Sequence, residues 1–195
     1  MFPVIPCAAG CGRPAISGSN TCAVHAADSE READRIGRYI AERDVIKDVS
    51  ACGLYFGEMD FSCRKFYGCT FSGASFTRCL FTGVQMRMLF FDFCVFKDCD
   101  FSHSDLEFLS FAGSDISNCT FEGSNLTHLN YGGSVIREST FNNSDLYNSR
   151  FINADITQTR FVDCNLKRVY FIESRREGVS FKASNTAEAV FEIGE

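Results

Sequence analysis

The sequence has no tryptophan, only three prolines and three histidines, and no long apolar run. A helix that crosses a bilayer needs about 20 consecutive apolar residues, so no transmembrane helix is predicted. The opening residues lack the basic segment of a secretory signal, and we therefore expect a cytoplasmic protein. The net charge of −6 argues against a general nucleic-acid binder and against a basic membrane-surface protein.

The chain also lacks the even cysteine pairing of a disulfide scaffold. It has 11 cysteines, and most of them follow a repeat in which a thiol acts as a small apolar side chain. This usage agrees with a reducing compartment.

Phenylalanine, by contrast, is abundant and periodic. Every fifth residue from Phe56 to Phe191 gives 28 positions, of which 26 are apolar, and 17 of the 21 phenylalanines fall in this register. The two exceptions are Arg176 and Thr186. A small or apolar residue, such as Cys99, lies two residues before nearly every central position. Because alternate residues of a strand face the same side, each five-residue unit predicts one short side of a coil with two inward-facing residues.

A second period of twenty residues indicates how many sides close a coil. Leucine recurs every twenty residues on one phase, and isoleucine recurs on another. These residues are Leu106, Leu126, Leu146 and Leu166, and then Ile116, Ile136 and Ile156. Like residues are therefore expected to stack, which requires four five-residue sides per coil. At about 4.8 Å between stacked strands, seven coils make a rod roughly 34 Å long.

Units such as SDLEF, SDISN, SNLTH and CTFEG resemble the pentapeptide-repeat family in its Phe-centred variant. The resemblance covers 136 of the 195 residues, from 56 to 191. It implies an all-β solenoid, a right-handed quadrilateral β-helix of about seven coils. Fold alone leaves the function open.

A second motif precedes the repeats, namely Cys7-x3-Cys11-x10-Cys22-x2-His25. It offers the four Cys and His ligands that tetrahedral Zn²⁺ prefers, and it resembles small Cys3His zinc knuckles. Four protein ligands leave no open position, so the predicted role of Zn²⁺ is structural. The alternative is a chance cluster in a Cys-rich chain, but none of the four lies in the repeat register. Since Arg13 is the one basic residue up to position 27, a docking or capping unit is favoured over a nucleic-acid-reading finger.

A helical pattern follows the knuckle. Ser29 and Glu32 fit a capping box. An apolar stripe is formed by Ile36, Tyr39, Ile40 and Ile46. We predict a helix that covers the N-terminal end of the β-helix, with a partner-binding helix as the alternative. The predicted segments are a zinc-knuckle-like part over 1–27, a capping or linking helix over 28–49, and the β-helix over 50–195.

Chemistry-bearing patterns are not found in the repeats. His103 and His128 fall at outward positions on different phases of the coil, without a recognisable metal or nucleophile spacing. Glycines such as Gly73 and Gly113 fit corner positions rather than a phosphate loop. We expect a protein that is not an enzyme.

Charge is uneven along the repeats. Between 92 and 122, seven acids accompany only Lys97, a local balance of −6. The acids are Asp92, Asp98, Asp100, Asp105, Glu107, Asp115 and Glu122. From 150 to 176, bases outnumber acids. An acidic middle and a more basic C-terminal part are therefore predicted.

An apolar patch is expected near the C-terminal end. Ile152 and Ile172 lie twenty residues apart at an outward position, flanked by Tyr170 and Val190, and such patches often mark interfaces. An unpaired buried arginine is costly, so Arg176 is expected to turn outward from the last coil. That end is a candidate for homodimer formation.

Two functions follow from these features. The first is a non-catalytic protein-binding scaffold with a structural zinc site and a protein partner. The second, implied by the family resemblance, is a DNA mimic that binds DNA gyrase or another type II topoisomerase and protects it from quinolone-like inhibitors. The sequence departs from that pattern, because no loop interrupts the repeats, the acids are spread over all four sides, and a basic segment follows them.

Overall fold

The computed structural model describes residues 5–192, so residues 1–4 and 193–195 of the two outer predicted segments lie outside the described residues. One helix, α1 (Ser29–Ala41), precedes a stack of short strands. The strands are β1 (Val45–Lys47), β2 (Tyr55–Gly57), β3 (Lys65–Tyr67), β4 (Ser75–Thr77), β5 (Gln85–Arg87), β6 (Val95–Lys97), β7 (Asp105–Glu107), β8 (Asp115–Ser117), β9 (Asn125–Thr127), β10 (Val135–Arg137), β11 (Asp155–Thr157) and β12 (Arg175–Glu177). A 3₁₀ turn spans Thr186–Glu188. No helix within 5–192 has the length and apolar character needed to cross a membrane.

Each coil has four faces, numbered here in chain order. Face 1 is the parallel five-stranded sheet β1-β3-β5-β7-β9, and face 3 is the parallel seven-stranded sheet from β2 to β12. Faces 2 and 4 carry single parallel bridges, such as Ser110 with Asn130 on face 2 and Thr120 with Thr140 on face 4. Partners in every ladder are twenty residues apart, for example Ile116 and Ile136. The predicted four-sided solenoid of about seven coils is confirmed.

Stacked rings fill the centre of the rod. Phe121 lies between Phe101 and Phe141 with ring centroids 4.8 and 4.7 Å away and nearly parallel planes. Rings of adjacent faces meet edge to face, as Phe121 meets Tyr131 at 88°. Both arrangements are favoured by the aromatic quadrupole. The strict Phe register therefore exists because each ring is a packing surface for the ring one coil away.

The second inward position of many sides carries a small group that satisfies the backbone. The Ser124 hydroxyl donates to the Phe101 carbonyl at 2.9 Å and accepts the Ser104 N–H at 3.0 Å. Buried cysteines occupy the same kind of position. Burial raises the pKa of the Cys94 thiol to about 12, so this thiol stays protonated and acts as a packing group.

Corners join the four faces, and each corner residue adopts a left-handed backbone conformation. Gly73 and Gly113 have φ values of 72° and 66°, which glycine adopts without steric cost. The prediction that the repeat glycines lie at corners is confirmed. Bulky residues also occupy some corners, among them Met88 and Phe93 with φ values of 56° and 57°. For such side chains this conformation is strained.

The helix covers the N-terminal end of the rod, as predicted. Ile36 and Ile40 are fully buried and belong to the same apolar cluster as Phe56. The predicted capping box is wrong: the N-cap is Asp28, whose carboxylate accepts the Arg31 N–H at 2.9 Å. Asp28 is the capping residue because the helix begins one residue earlier than the Ser29 motif requires.

The apolar stripe of the helix is shorter than predicted. Ile46 is not on the helix but in β1, where it pairs with Phe66 as a centre of the coil. The strand ladder therefore begins at Val45, five residues before the predicted segment start at 50. Ile46 and Ala51 continue the five-residue register, but neither is the phenylalanine that marks most later units.

The C-terminal end is closed by Arg176. The residue keeps its central register opposite Ile156, yet its side chain is exposed, as predicted. Its guanidinium lies 4.8 Å from the centroid of the Phe191 ring, which in turn stacks on Phe171 at 5.3 Å. A cation over an aromatic face is favourable, so the arginine covers the open core instead of being buried in it.

Replacing Phe121 with alanine tests the ring stack. Phe121 is fully buried between two parallel rings, so Phe121→Ala should lower the free energy of unfolding by about 3–5 kcal/mol through the cavity it leaves. The measurement is urea unfolding followed by circular dichroism. Phe90→Ala, a half-exposed phenylalanine of the same rod, is the matched control and should cost about 0.5 kcal/mol or less. Equal effects of the two variants would contradict the stacked core.

The helix cap can be tested with neighbouring variants. Asp28→Ala should lower the free energy of unfolding by about 1 kcal/mol, because it removes the acceptor for the Arg31 N–H. Ser29→Ala, inside the first turn, should have a smaller effect in the same urea titration. A larger loss with Ser29→Ala would restore the capping box.

Candidate metal centre and interaction surface

Two tight turns position the four residues of the Cys3His motif. An antiparallel bridge between Pro6 and Pro14 and a hydrogen bond from the Cys7 N–H to the Arg13 carbonyl close the first turn, which carries Cys7 and Cys11. The His25 N–H donates to the Cys22 carbonyl at 3.0 Å and closes the second. The turn-rich sequence between the ligands thus brings residues from two hairpin-like loops to one point.

The four potential ligand atoms lie within 4.8 Å of one another. The Sγ atoms of Cys11 and Cys22 are 3.8 Å apart, and His25 Nδ1 lies 3.5 Å from Cys22 Sγ and 3.6 Å from Cys7 Sγ. Zinc with sulfur at about 2.3 Å and nitrogen at about 2.0–2.1 Å would give tetrahedral edges of about 3.8 and 3.5–3.6 Å. The residues present therefore fit a tetrahedral Cys3His group.

The surroundings of the cluster lower the pKa of two of its cysteines. Burial opposes ionisation of Cys22, but the backbone N–H groups of His25 and Val24 and the His25 ring lower its pKa to about 6. The Cys22 N–H, which donates to Cys7 Sγ at 3.3 Å, lowers the pKa of Cys7. Hydrogen bonding to Cys7 raises the pKa of His25. The Arg13 N–H lowers the pKa of Cys11, but burial and the nearby thiols raise it, and the pKa is raised overall.

The Cys3His segment is attached to the rod. The Ser17 N–H donates to the Ser50 carbonyl at 2.8 Å, and the Ser50 N–H donates to the Ser17 hydroxyl at 2.8 Å. Arg35 of α1 holds the Ser17 carbonyl from the other side at 2.5 Å. Ile16 is buried in the same cluster as the first coils. The segment therefore docks on the N-terminal coil of its own chain.

The acidic band predicted over 92–122 is partly compensated by arginines of neighbouring coils. Arg87 contacts Asp105 at 2.5 Å and Glu107 at 2.8 Å, and Arg137 contacts Asp115 at 3.1 Å. Both arginines lie outside the sequence window but one coil away in space. The local balance of −6 counted along the chain is therefore not the charge that the surface presents.

The remaining acids of that band mostly accept hydrogen bonds. Asp92 accepts from the Ser110 hydroxyl, Asp98 from Asn118 at 2.7 Å, and Asp100 from the Ser102 N–H at 2.8 Å. They lie on different faces: Asp92 on face 2, Asp98 at the corner after face 3, and Asp100 on face 4. The structure does not bring the acidic candidates together into one patch.

The C-terminal apolar candidates do share one face. Ile152 and Ile172 lie in one row of face 2, and Tyr170 bridges to Val190 in a neighbouring row. All four are half-buried instead of exposed. They therefore expose less apolar surface than a fully outward patch would.

A second group of exposed large apolar side chains on the rod was not predicted from the sequence. Met88, Phe90 and Phe93 project from one coil, and Phe108 projects from the next; each is more than half exposed. The signal was present, since Phe90, Phe93 and Phe108 are three of the four phenylalanines outside the five-residue register. An out-of-register phenylalanine has no place in the core and must point outward.

His128 belongs to this side of the rod as well. Its ring lies 4.8 Å from Phe108 and 5.6 Å from Tyr147, measured between ring centroids. Arg168 continues the series and donates to the Tyr147 hydroxyl at 3.1 Å. His128 is thus packed among rings, whereas His103 lies at a corner between other faces.

An open cavity of about 570 Å³ lies where the Cys3His segment meets face 2. Its walls include Arg13 and Val24 from the segment and Cys52, Gly73 and Phe93 from the rod. Val24 is 66 % exposed and Phe93 is 73 % exposed, so both present apolar surface at the cavity. The cavity lies between Cys22 of the Cys3His cluster and Phe93 of face 2.

Comparisons with known proteins agree with the fold. Residues 74–151 match the family described as Pentapeptide repeat region, which confirms the resemblance drawn from the repeats. None of the curated proteins matches this chain.

Three solved structures are similar to this chain at low sequence identity. HetL, a pentapeptide repeat protein involved in heterocyst differentiation regulation from the cyanobacterium Nostoc sp. Strain PCC 7120, is 7% identical over 80% of this chain and 94% of its own, with a TM-score of 0.42. A trypsin-treated variant of QnrB1, a plasmid-mediated fluoroquinolone resistance protein, is 17% identical over 76% and 83%, with a TM-score of 0.38. A pentapeptide repeat protein from the Arabidopsis thaliana thylakoid lumen is 18% identical over 62% and 69%, with a TM-score of 0.26.

Proposed function

We propose that this chain, a pentapeptide-repeat β-helix with an N-terminal Cys3His cluster, is a non-catalytic protein-binding scaffold that works in the cytoplasm. The observation that carries the proposal is the exposure of Met88, Phe90, Phe93 and Phe108 on a rod whose core is already complete. Large exposed apolar side chains clustered on one face are typical of interaction surfaces. The acidic candidates and the half-buried residues Ile152, Tyr170, Ile172 and Val190 remain secondary contact candidates, and the C-terminal coil with Phe191 remains a candidate for homodimer contact.

The chemistry of the side chains supports a binding role over catalysis. The repeat thiols Cys69 and Cys94 have pKa values raised by burial to about 11 and about 12, which removes them as nucleophiles. The hydroxyls of Ser124 and of the equivalent serines are hydrogen-bonded to backbone groups. Among the described residues we find no nucleophile hydrogen-bonded to a histidine base outside the Cys3His cluster.

The Cys3His cluster is proposed to hold one structural Zn²⁺ through Cys7, Cys11, Cys22 and His25. The interatomic distances support tetrahedral coordination, and an ion bound by all four has no position left for a substrate. When bound, the ion would cross-link the two turns of a segment that has little core of its own. The segment would then be held in the orientation in which it docks on Ser50 and forms one wall of the cavity.

DNA mimicry with gyrase or another type II topoisomerase as partner is the weaker alternative. A duplex presents one negative charge per roughly 1.7 Å of axis, without interruption. Here Arg87 and Arg137 pair with three of the acids that the alternative requires.

Metal analysis tests the zinc centre. Purified protein should contain about one Zn per chain, and Cys22→Ser should lose it, because three ligands remain where four are needed. Inductively coupled plasma mass spectrometry gives the stoichiometry. Cys63→Ser, an exposed cysteine outside the cluster, is the control and should keep the metal. A pure, folded and metal-free protein that does not take up Zn²⁺ would refute the site.

Affinity capture tests the scaffold itself. The intact, zinc-loaded chain should retain a protein partner from a lysate of its source cells, and excess free protein should compete it away. Cys22→Ser should capture less, because the segment that lines the cavity is loosened. Failure of the intact chain to retain any partner that free protein displaces would contradict the proposed function.

A supercoiling assay separates the scaffold from the alternative. We expect no inhibition of DNA gyrase that competes with DNA, since the acids of the rod are mostly paired or hydrogen-bonded. Inhibition that is weakened by Asp100→Lys and Asp105→Lys would reverse this conclusion and favour the mimic.

A further inference from the structure

Face 2 concentrates exposed apolar side chains at one level of the rod. Met88, Phe90 and Phe93 come from six consecutive residues, and Phe108 lies one coil above Met88 in the same row. Val24 of the Cys3His segment joins them at the shared cavity. We call this set (Val24, Met88, Phe90, Phe93 and Phe108) the aromatic belt. Other faces carry exposed apolar residues such as Tyr55 and Leu80 at separate places.

The belt is present despite an unfavourable backbone conformation. Met88, Phe93 and Phe108 are corner residues with φ values of 56°, 57° and 57°. In the row of Phe93, the neighbouring coils carry Gly73 and Gly113, which suit this conformation. The Phe93 ring lies against Gly113, where an added Cβ would be 2.7 Å from ring atoms. Because the fold would accept glycine at 93 more easily, the phenylalanine indicates a role on the surface.

Charges around the belt are complementary to an acidic partner. Arg13 lines the cavity beside Phe93, and its guanidinium has no ion pair or hydrogen bond to any described residue. Arg150, exposed in the same row as Phe90, is likewise without such a partner among residues 5–192. The carboxylate within the belt, that of Asp92, accepts a hydrogen bond from Ser110. Glu173 lies at the far corner of face 2, beyond Arg150. Its negative charge marks the end of the surface that suits an acidic partner.

We propose that the aromatic belt binds an acidic amphipathic helix of a partner protein. The apolar stripe of the helix covers the belt, one of its side chains enters the cavity, and its carboxylates meet Arg13 and Arg150. Thr70 at the cavity and Arg150 share one row and are four coils apart, roughly 19 Å, which a helix of about 13 residues spans. This inference rests on the proposed scaffold function. It names the aromatic belt as the binding site and an acidic helix as the bound segment.

A second copy of the chain fits the belt less well. In a two-fold symmetric dimer each surface meets its own equivalent, so an antiparallel pairing of two belts brings Arg13 of one copy toward Arg150 of the other. The cations would then face each other, while Asp92 is already hydrogen-bonded to Ser110. A separate acidic chain supplies the charges that the belt lacks.

A pair of designed peptides tests the chemistry of the occupant. The first is a 16-residue fluorescein-labelled helix with a Leu and Phe stripe flanked by Glu, and the second has Lys at every Glu. In anisotropy titrations with the intact zinc-loaded chain, the Glu peptide should bind at least tenfold more tightly, and added salt should weaken it. Equal binding, or tighter binding of the Lys peptide, would overturn the proposal.

Variants test the location of the site. Phe93→Gly should weaken binding of the Glu peptide at least tenfold while the Tm stays the same or rises, because glycine suits the corner. Arg13→Glu should weaken the Glu peptide and strengthen the Lys peptide. Tyr55→Ser, a matched exposed aromatic on face 3, should change affinity less than twofold. Full binding by Phe93→Gly, or an equal loss with Tyr55→Ser, would rule out the belt.

Capture of the partner by variants distinguishes a failure of the aromatic belt from a failure of the scaffold function. Its capture should be lost with Phe93→Gly and kept with Tyr55→Ser. Capture that persists in Phe93→Gly would overturn the belt and leave the scaffold standing. The absence of any captured partner would instead overturn the scaffold function.

Discussion

Vertical stacking between residues twenty positions apart is the constraint on which this molecule depends. The Thr120 N–H donates to the Cys99 carbonyl at 3.1 Å, and the Phe121 N–H donates to the Thr140 carbonyl at 2.8 Å, so each side of a coil is tied to the coil below and the coil above. The same translation places Phe121 between Phe101 and Phe141. Backbone pairing and ring stacking therefore require the same register of twenty residues.

This constraint separates the core from the surface completely. Two of every five residues point inward and are used for packing or for satisfying backbone groups, as Phe121 and Ser124 illustrate. The side chains that can contact a partner therefore lie in the outward rows and at the corners. Since a row combines residues twenty apart, a surface is assembled from positions that look unrelated along the chain. Arg87 beside Glu107 is one such pair, and the alignment of Phe90 with Arg150 is another.

The Cys3His segment adds a wall that the repeats alone could not make. Its four ligand residues are close in sequence, which is why their cluster could be predicted from spacing. Its attachment could not be predicted, because the contacts with Ser50 and Arg35 join segments that carry no shared motif. The consequence is a cavity between the segment and face 2, bordered by an unpaired arginine and an exposed phenylalanine. A zinc-dependent fold of this segment would couple metal binding to the shape of the interaction surface.

The sequence by itself determined the four-sided coil, the inward phenylalanines, the ligand cluster and the outward turn of Arg176, because each depends on a local period or a local cost. It misplaced the helix cap at Ser29 and assigned Ile46 to the helix, since both decisions depend on where the chain meets the first coil. Only the tertiary structure decided which charges remain unpaired and which apolar residues share a face. Those properties arise from contacts between coils, and a count along the chain cannot separate Asp105, held by Arg87, from an acid that faces solvent alone.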